Sequence, residues 1–314
     1  MANDFRRFLE AHPTYKAAYH RLLESKSPER IGRVLATCAQ LVYRTQGEAL
    51  GAVADEILRF VDHYYSPGYI DRYVARVSAL TALQRRFDQN PAPHTLGDSA
   101  AIVDRDDYSL SLLLSIVLTN HRFEIMAQLS SFLNSIAARQ SHGHIVSIGV
   151  GTGYELVHAA RILPEWQIEA YDIDETMRNH ARQLWFFFQA SRIRDVGTLF
   201  PLDRADPDFA GRYDAIVMCE LCEHLRDPLS ALRQVREYLK ENGRAFVTMA
   251  INIAQEDHIF LYPTIEACRA QIRDSGLHAT SEWMTPQTIL AIPANREENF
   301  QKGNYIAVVQ KHPA

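Results

Sequence analysis

From His144 onward, short apolar runs alternate with segments of helical periodicity, and this alternation restricts the fold more than any other feature. HIVSIGV is followed by YELVHAARIL, WQIEAYDID by ETMRNHARQLWFFF, and RYDAIVMCE by DPLSALRQVREYLK. β-Branched runs separated by amphipathic helices favour parallel strands joined by right-handed crossovers. The sequence therefore predicts an α/β fold with a doubly wound, mostly parallel sheet. LHATSEWMTP and GNYIAVVQK have no helix between them, which predicts a final antiparallel pair.

The first 140 residues show helical periodicity without strand-like alternation. Apolar residues recur at three- and four-residue spacing over Glu29–Tyr65, which predicts helices in this segment. Asp106 and Asp107 are expected to cap a further helix that begins beside them. We therefore expect two domains: an all-helical N-terminal lid or substrate domain over residues 1–140, and an α/β domain over residues 141–314.

Composition and charge limit the classes of partner. The net charge is −5 and no cluster of Lys or Arg occurs, which gives little support to nucleic-acid binding. The longest apolar stretch, LSLLLSIVL, is too short to cross a bilayer. The four cysteines include only one close pair, and MANDFRRFLEAHP lacks the apolar core of a signal peptide, so we expect a cytoplasmic protein. The expected partner is a small-molecule substrate, without a membrane, and a homodimer is left open.

A glycine-rich turn follows the first predicted strand. Gly149, Gly151 and Gly153 fall in VSIGVGTGYE, where glycine lets the backbone turn sharply and approach a ligand. Asp172 ends the second strand 19 residues beyond Gly153, where a carboxylate can accept both hydroxyls of a ribose. The spacing G-x-G-x-G, with Glu155 at the helix start, differs from a dinucleotide-binding turn, which leaves the helix N-terminus free for a pyrophosphate. We expect a nucleoside-containing cofactor; a turn without a ligand is the alternative.

Four segments in this order resemble the class I S-adenosylmethionine-dependent methyltransferases: VSIGVGTGYE, EAYDID, YDAIVMCELCEHLRDP and LKENGRAFVTMA. The likeness covers residues 144–310 and is greatest to the group that includes the ubiquinone-pathway O-methyltransferases, whose post-strand motif also reads E-x-x-E-H. It implies a Rossmann-like methyltransferase core with S-adenosyl-L-methionine as co-substrate. It further implies that the three glycines line the methionine portion, that Asp172 binds the ribose and that Asp203 faces the adenine.

Four further side chains are candidates for cofactor contacts. Tyr154 and Tyr171 lie next to the glycine turn and the ribose acid, where an aromatic face suits the sulfonium cation; ordinary core packing is the alternative. Arg122 is expected either to bind the cofactor's carboxylate by a bidentate pair or to form a surface ion pair. Cys219 ends the strand RYDAIVMCE, beside the expected cofactor; this is the fourth strand, because the third lies between Arg192 and Asp203. It also forms C-x-x-C with Cys222, for which a redox dithiol is the minority interpretation.

The segment Cys219–Leu225, CELCEHL, concentrates polar side chains at the end of the fourth strand. In the methyltransferase fold this position faces the transferred methyl, so Glu220, Glu223 and His224 are the candidate catalytic residues, acting as acid or base. The alternative is a helix-capping glutamate and a half-buried histidine. His258 follows the fifth strand, from which it can return to the same cleft. We expect no bound metal, but with His258 these residues also form a set of metal ligands. The set is similar to the E-x-x-E-H and distant histidine that bind a divalent ion in small-RNA 2′-O-methyltransferases.

The resemblance implies methyl transfer from S-adenosylmethionine to a small-molecule acceptor, either a metabolite or a natural product. Two other functions stay open at this point. The first is a cyclase or alkyl transferase of the azetidine-2-carboxylate synthase type, which would release methylthioadenosine. The second is a cofactor-binding scaffold without catalysis. The first 140 residues match no part of the shared core and are expected to decide the substrate.

Overall fold

The computed structural model describes Glu10 and residues 48–65, 69–89, 104–197, 200–286 and 302–312. The part of the predicted helical segment that precedes Glu48 lies outside the described residues. None of the described helices is long and apolar enough to span a membrane.

The described residues before the first strand are almost entirely helical, as the periodicity predicts. Their helices are α1 (Glu48–Tyr64), α2 (Tyr69–Gln89), α3 (Arg105–Leu118) and α4 (Asn120–Ala137).

The N-terminal cap of α3 differs from the prediction. Asp104 is the capping residue, and its carboxylate accepts the backbone N–H groups of Asp106 and Asp107 at 2.8 and 3.2 Å. The expectation that Asp106 and Asp107 are themselves the caps is wrong, because they lie in the first helical turn, where amides lack intrahelical partners and need an acceptor.

The remaining described residues form a seven-stranded sheet of order β3-β2-β1-β4-β5-β7-β6. Strands β1 to β5 are parallel, and β7 pairs antiparallel with both β5 and β6, which confirms the predicted final antiparallel pair. The elements are β1 (His144–Ile148), α5 (Tyr154–Ile162), β2 (Gln167–Tyr171), α6 (Glu175–Phe187), β3 (Ile193–Gly197), β4 (Tyr213–Met218), α7 (Pro228–Tyr238), β5 (Leu239–Ile251), α8 (Ile265–Asp274), β6 (Leu277–Pro286) and β7 (Gly303–Lys311).

Two apolar layers cover the sheet, because neighbouring residues of a strand point to opposite faces. Ile145 belongs to a cluster with residues of α1 and α3 to α6, whereas Val146 belongs to a cluster with residues of α7 and α8. Helices on both faces confirm the doubly wound sheet. Helix α4, which ends just before residue 140, lies in the first of these layers. The division into two domains near that residue stays a prediction.

Gly153 connects the glycine turn to the packing of α5 against α6. Its carbonyl accepts the indole N–H of Trp185 at 2.9 Å, and Trp185 is buried. Gly153 has φ +75°, and a Cβ there would lie 2.6 Å from Trp185 Nε1 and 2.9 Å from Ala181 Cβ. Both the backbone conformation and the close packing therefore require glycine.

We predict that Gly153→Ala destabilises the protein more than Gly211→Ala does. Gly211 also has positive φ, +60°, but a Cβ added there would have no atom within 4 Å. The Gly211 variant should cost about 1–2 kcal/mol from backbone strain alone, and the Gly153 variant about 1–3 kcal/mol more from overpacking. Urea denaturation of both variants measures the difference, and equal losses would contradict the packing role of Gly153.

Candidate active site

A cleft of about 740 Å³ lies at the carboxyl ends of β1, β2, β4 and β5. The crevice of a doubly wound sheet opens where the strand order reverses, which here is between β1 and β4. The turns that follow these strands contribute many of the lining residues. Helices α2 and α3 contribute others, among them Tyr73 and Tyr108. The described helices that precede the sheet thus take part in the cleft.

The glycine turn is hydrogen-bonded to the end of β2. The Gly149 N–H donates to the carbonyl of Tyr171 at 2.9 Å, and the Gly151 N–H donates to Asp172 Oδ2 at 3.0 Å. The Asp174 N–H donates to the other oxygen of Asp172 at 2.9 Å. Burial raises the pKa of Asp172, and these two N–H donors oppose the shift. Each carboxylate oxygen still has a lone pair that can accept a ribose hydroxyl.

Most of the residues predicted to contact the cofactor line this cleft, but two do not. Gly153 packs against Trp185, as described above. Tyr154 is fully buried; its hydroxyl donates to Glu56 Oε2 at 3.2 Å and its ring packs edge-on against Phe188. Neither residue therefore lines the cleft: for Gly153 this differs from what the resemblance implies, and for Tyr154 it corresponds to the core packing given as the alternative. The residues that do line it are Gly149, Gly151, Tyr171, Asp172, Asp203, Cys219 and Arg122.

Arg122 is a buried residue rather than part of a surface ion pair. Its side chain is 9% exposed, and Nη2 lies 3.2 Å from Glu155 Oε1. Its Nε atom has no hydrogen-bond partner among the described residues. Burial lowers the pKa of Arg122 and Glu155 raises it, with a net result above the ordinary value. A guanidinium with an unused donor at the cleft suits a carboxylate ligand.

Glu220 is held by hydrogen bonds from neighbouring strands. Its backbone has φ +51°, and its carboxylate accepts Thr248 Oγ1–H at 2.7 Å and Asn304 Nδ2–H at 2.7 and 2.8 Å. Thr248 belongs to β5 and Asn304 to β7. Glu220 lines the cleft, but both of its oxygens already have partners.

Glu223 has the opposite environment. It is 1% exposed, and neither carboxylate oxygen has a hydrogen-bond partner among the described residues. Burial, and then the charge of Glu220, raise the pKa of Glu223 well above its ordinary value, and the backbone N–H groups of Glu223 and Ala250 oppose the shift. Its carbonyl accepts the N–H groups of Ile259 and Phe260, both at 2.9 Å, which joins the segment after β4 to the segment after β5.

The two candidate histidines lie beside Glu223 with their rings 4.9 Å apart. His224 Nδ1 lies 3.0 Å from the carbonyl of Asp257, and His258 Nδ1 lies 2.8 Å from the carbonyl of Ile253. Burial, together with the nearby His224, lowers the pKa of His258 to about 4. His258 is therefore neutral at physiological pH, and the predicted approach of this residue to the post-β4 segment is observed.

The two cysteines of the C-x-x-C sequence are free thiols. Cys219 lines the cleft, whereas Cys222 is buried in the apolar cluster under α7. Burial raises the pKa of both thiols well above the ordinary value. A catalytic dithiol needs a lowered thiol pKa, so this geometry disfavours redox function.

Several polar residues of the cleft were not singled out by the sequence analysis, among them Tyr108, His121 and Asp257. Asp257 immediately precedes His258, so its proximity was readable from QEDH. Tyr108 and His121 lie within or at the start of helices whose periodicity does not reveal which side chains meet the sheet edge. Their positions become evident only from the packing.

The chain matches the methyltransferase-domain family over residues 118–282, more than half of its length. It therefore belongs to this family and is a class I S-adenosylmethionine-dependent methyltransferase, with S-adenosylmethionine as co-substrate. Over 82 residues it is 36% identical to the ubiquinone biosynthesis O-methyltransferase of Marinobacter nauticus, a match that covers 26% of this chain and 33% of that protein. The chain thus spans about a third of the length of that relative.

Solved methyltransferase structures are similar to this chain at low identity. One is the 1,6-didemethyltoxoflavin-N1-methyltransferase of Burkholderia thailandensis, solved with 1,6-didemethyltoxoflavin and S-adenosylhomocysteine bound. The two chains are 15% identical in sequence; the match covers 60% of this chain and 79% of that chain, with a TM-score of 0.44. Another is an S-adenosylmethionine-dependent methyltransferase of Clostridium acetobutylicum, which is 11% identical in sequence. That match covers 60% of this chain and 92% of the other chain, with a TM-score of 0.44. Neither similarity is high enough to transfer a substrate.

We predict that Asp172→Asn weakens S-adenosylhomocysteine binding about 30-fold, or about 2 kcal/mol, because a charged acceptor for ribose hydroxyls is lost. Isothermal titration calorimetry measures the change. Asp208→Asn, a matched change at an exposed carboxylate outside the cleft, should bind like the wild type. Equal affinity in the Asp172 variant and the wild type would contradict the assignment of the ribose acid.

Proposed function

We propose that this methyltransferase acts on a small-molecule acceptor that binds in the cleft beside Glu223 and His224. One observation supports this most strongly. Three groups of residues line the same cleft: the glycine turn with Asp172, the pair Glu223 and His224, and side chains of α2 and α3. Cofactor and acceptor would therefore share one cleft of about 740 Å³, a size typical of small-molecule sites.

Contacts between α2 and the segment after β5 support an enclosed cleft. Arg76 makes a bidentate pair with Glu256, with N···O distances of 2.6 and 2.8 Å. Gln84 donates to the carbonyl of Asn252 at 3.0 Å and accepts the N–H of Ala254 at 2.8 Å. These contacts fix a helix over the loop that carries His258, which favours a small acceptor over a polymer. On this basis we propose that residues 1–140 act as lid and substrate domain.

The residues around the cleft would have different roles in methyl transfer. S-adenosylmethionine supplies an electrophilic methyl carbon. Asp172 would orient the ribose and Arg122 the carboxylate, so the glycine turn can approach the rest of the cofactor closely. His224 lines the same cleft, and because its Nδ1 is engaged by the Asp257 carbonyl, its Nε2 lone pair is the one available on the side of the acceptor. The covering helices exclude water, which strengthens these interactions.

The family match favours methyl transfer over the cyclisation considered from the sequence, since it is a methyltransferase family. A non-catalytic scaffold is also disfavoured, because the chain belongs to a family of enzymes and its glycine turn and ribose acid are both in place.

The proposal is tested by incubating the protein with S-adenosylmethionine labelled in the methyl group and a cell extract that contains small molecules, protein and nucleic acid. We expect the label in a low-mass product, together with S-adenosylhomocysteine. The Asp172→Asn variant should form both more slowly, by about the loss in cofactor affinity at subsaturating cofactor. The Asp208→Asn variant serves as the matched control.

Two results would overturn the proposal. Methylthioadenosine as the nucleoside product would indicate attack at another carbon of the sulfonium. Label confined to added protein or nucleic acid would indicate a macromolecular acceptor. Mass spectrometry of the separated fractions distinguishes both from the expected result.

A further inference from the structure

Three side chains with metal-binding atoms converge in the cleft. Glu223, His224 and His258 each offer one ligand atom, and these atoms lie within 4.8 Å of one another. The residues come from two segments, one after β4 and one after β5. The paired amides of Ile259 and Phe260 on the Glu223 carbonyl hold those segments together. The cluster is therefore fixed by backbone hydrogen bonds that do not use its ligand atoms.

Both imidazoles are oriented as metal ligands usually are. A carbonyl oxygen can only accept, so the proton of each ring resides on the Nδ1 that faces Asp257 O or Ile253 O. The Nε2 atom of each ring then carries a lone pair. Metal-bound histidines commonly have this arrangement, in which the second ring nitrogen donates to a carbonyl or carboxylate. The Asp257 carboxylate, 3.5 Å from His224 Nδ1, adds to that support.

Glu223 is the part of the cluster that most needs an explanation. Its side chain is 1% exposed and both carboxylate oxygens have no hydrogen-bond partner among the described residues. Buried polar groups in folded proteins are nearly always hydrogen-bonded or bind an ion. Thr248 and Asn304 donate to Glu220, not to Glu223. A cation between Glu223 and the two imidazoles would satisfy it.

We propose that Glu223, His224 and His258 bind a divalent transition-metal ion at the bottom of the cleft. Two imidazoles and one carboxylate are the donor set of zinc and of other first-row divalent ions, whereas magnesium prefers oxygen ligands throughout. Glu220 is not part of the set, since its oxygens are bound to β5 and β7. The site thus has three protein ligands, fewer than the four that close a structural zinc site.

The open coordination positions give the ion a role toward the acceptor. This part of the inference rests on the proposed function, because it requires that the acceptor binds in the same cleft. An oxygen or nitrogen atom of the acceptor would occupy the position that the protein leaves free, which would fix its distance from the cofactor. The acceptor class is then a small molecule with a metal-binding heteroatom at or next to the methylated atom.

The test is a titration of the full-length, untagged protein after removal of metals with a chelator. Zn²⁺, Mn²⁺, Co²⁺ and Ni²⁺ are added separately, and calorimetry gives stoichiometry and affinity. We expect one equivalent of at least one ion to bind, and Glu223→Gln, His224→Gln and His258→Gln each to weaken it about 100-fold or more. The absorption spectrum of the Co²⁺-loaded wild type reports imidazole coordination without any substitution.

Control variants separate this site from surface binding. Glu220→Gln removes a neighbouring carboxylate and should weaken metal binding far less than Glu223→Gln does. His142→Gln and Glu237→Gln, at exposed positions, should leave it unchanged. S-adenosylhomocysteine affinity, measured on every variant, shows that the protein is folded.

The titration and the affinity for S-adenosylhomocysteine together distinguish failure of the metal site from failure of the proposed function. If none of the four ions binds stoichiometrically to the wild type, or if Glu223→Gln binds the ion as well as the wild type, the metal site is overturned. Metal binding confined to the three residues, without S-adenosylhomocysteine binding, would overturn the proposed function and leave the metal site in place. S-adenosylhomocysteine binding without metal binding would overturn only the metal site.

Discussion

Strand β1 pairs with β2 on one side and with β4 on the other, and the helices that follow β1 and β4 cover opposite faces of the sheet. A crevice at the carboxyl ends of these strands is unavoidable in this arrangement. The glycine turn, Asp172 and the post-β4 segment lie far apart in the sequence, but each follows a strand that ends at this crevice. The location of the site thus follows from strand order, whereas its chemistry follows from the residues placed there.

A second constraint acts within the crevice. Segments after β4 and β5 are joined through the Glu223 carbonyl, and α2 is tied to the second segment through Arg76 and Gln84. Burial of an unpaired carboxylate such as Glu223 costs on the order of several kcal/mol unless the group is neutralised or meets a cation. The backbone contacts hold the carboxylate in this costly position. An arrangement of that kind is more typical of functional sites than of the rest of a fold.

The sequence predicted the sheet well because its strands are short β-branched runs, each separated from the next by an amphipathic helix or a turn. It also predicted that His258 would return to the cleft, since the loop after β5 opens at the same edge as the loop after β4. It did not predict that Gly153 packs inward, because this depends on how α6 packs against the turn through Trp185. Periodicity marks an apolar face but does not say which neighbour covers it.

The sequence also could not predict that the carboxylate of Glu220 is hydrogen-bonded whereas that of Glu223 has no partner among the described residues. The two residues are three positions apart and chemically identical. Their difference arises from Thr248 and Asn304, which approach Glu220 from β5 and β7. Asn304 lies more than eighty residues from Glu220, so no local pattern could have indicated the contact. Pairing of distant strands decides which carboxylate is satisfied and which is left without a partner.

We infer that cofactor and metal occupy one cleft. A crystal structure of the protein grown with S-adenosylhomocysteine and the ion that binds most tightly in the titration, with diffraction data that record the anomalous signal of that ion, tests it most directly. We predict ribose density at Asp172 and an anomalous peak bonded to Glu223, His224 and His258 in the same cavity. Nucleoside density elsewhere in the molecule, or an ordered cofactor with no anomalous peak at these three side chains, would contradict the claim.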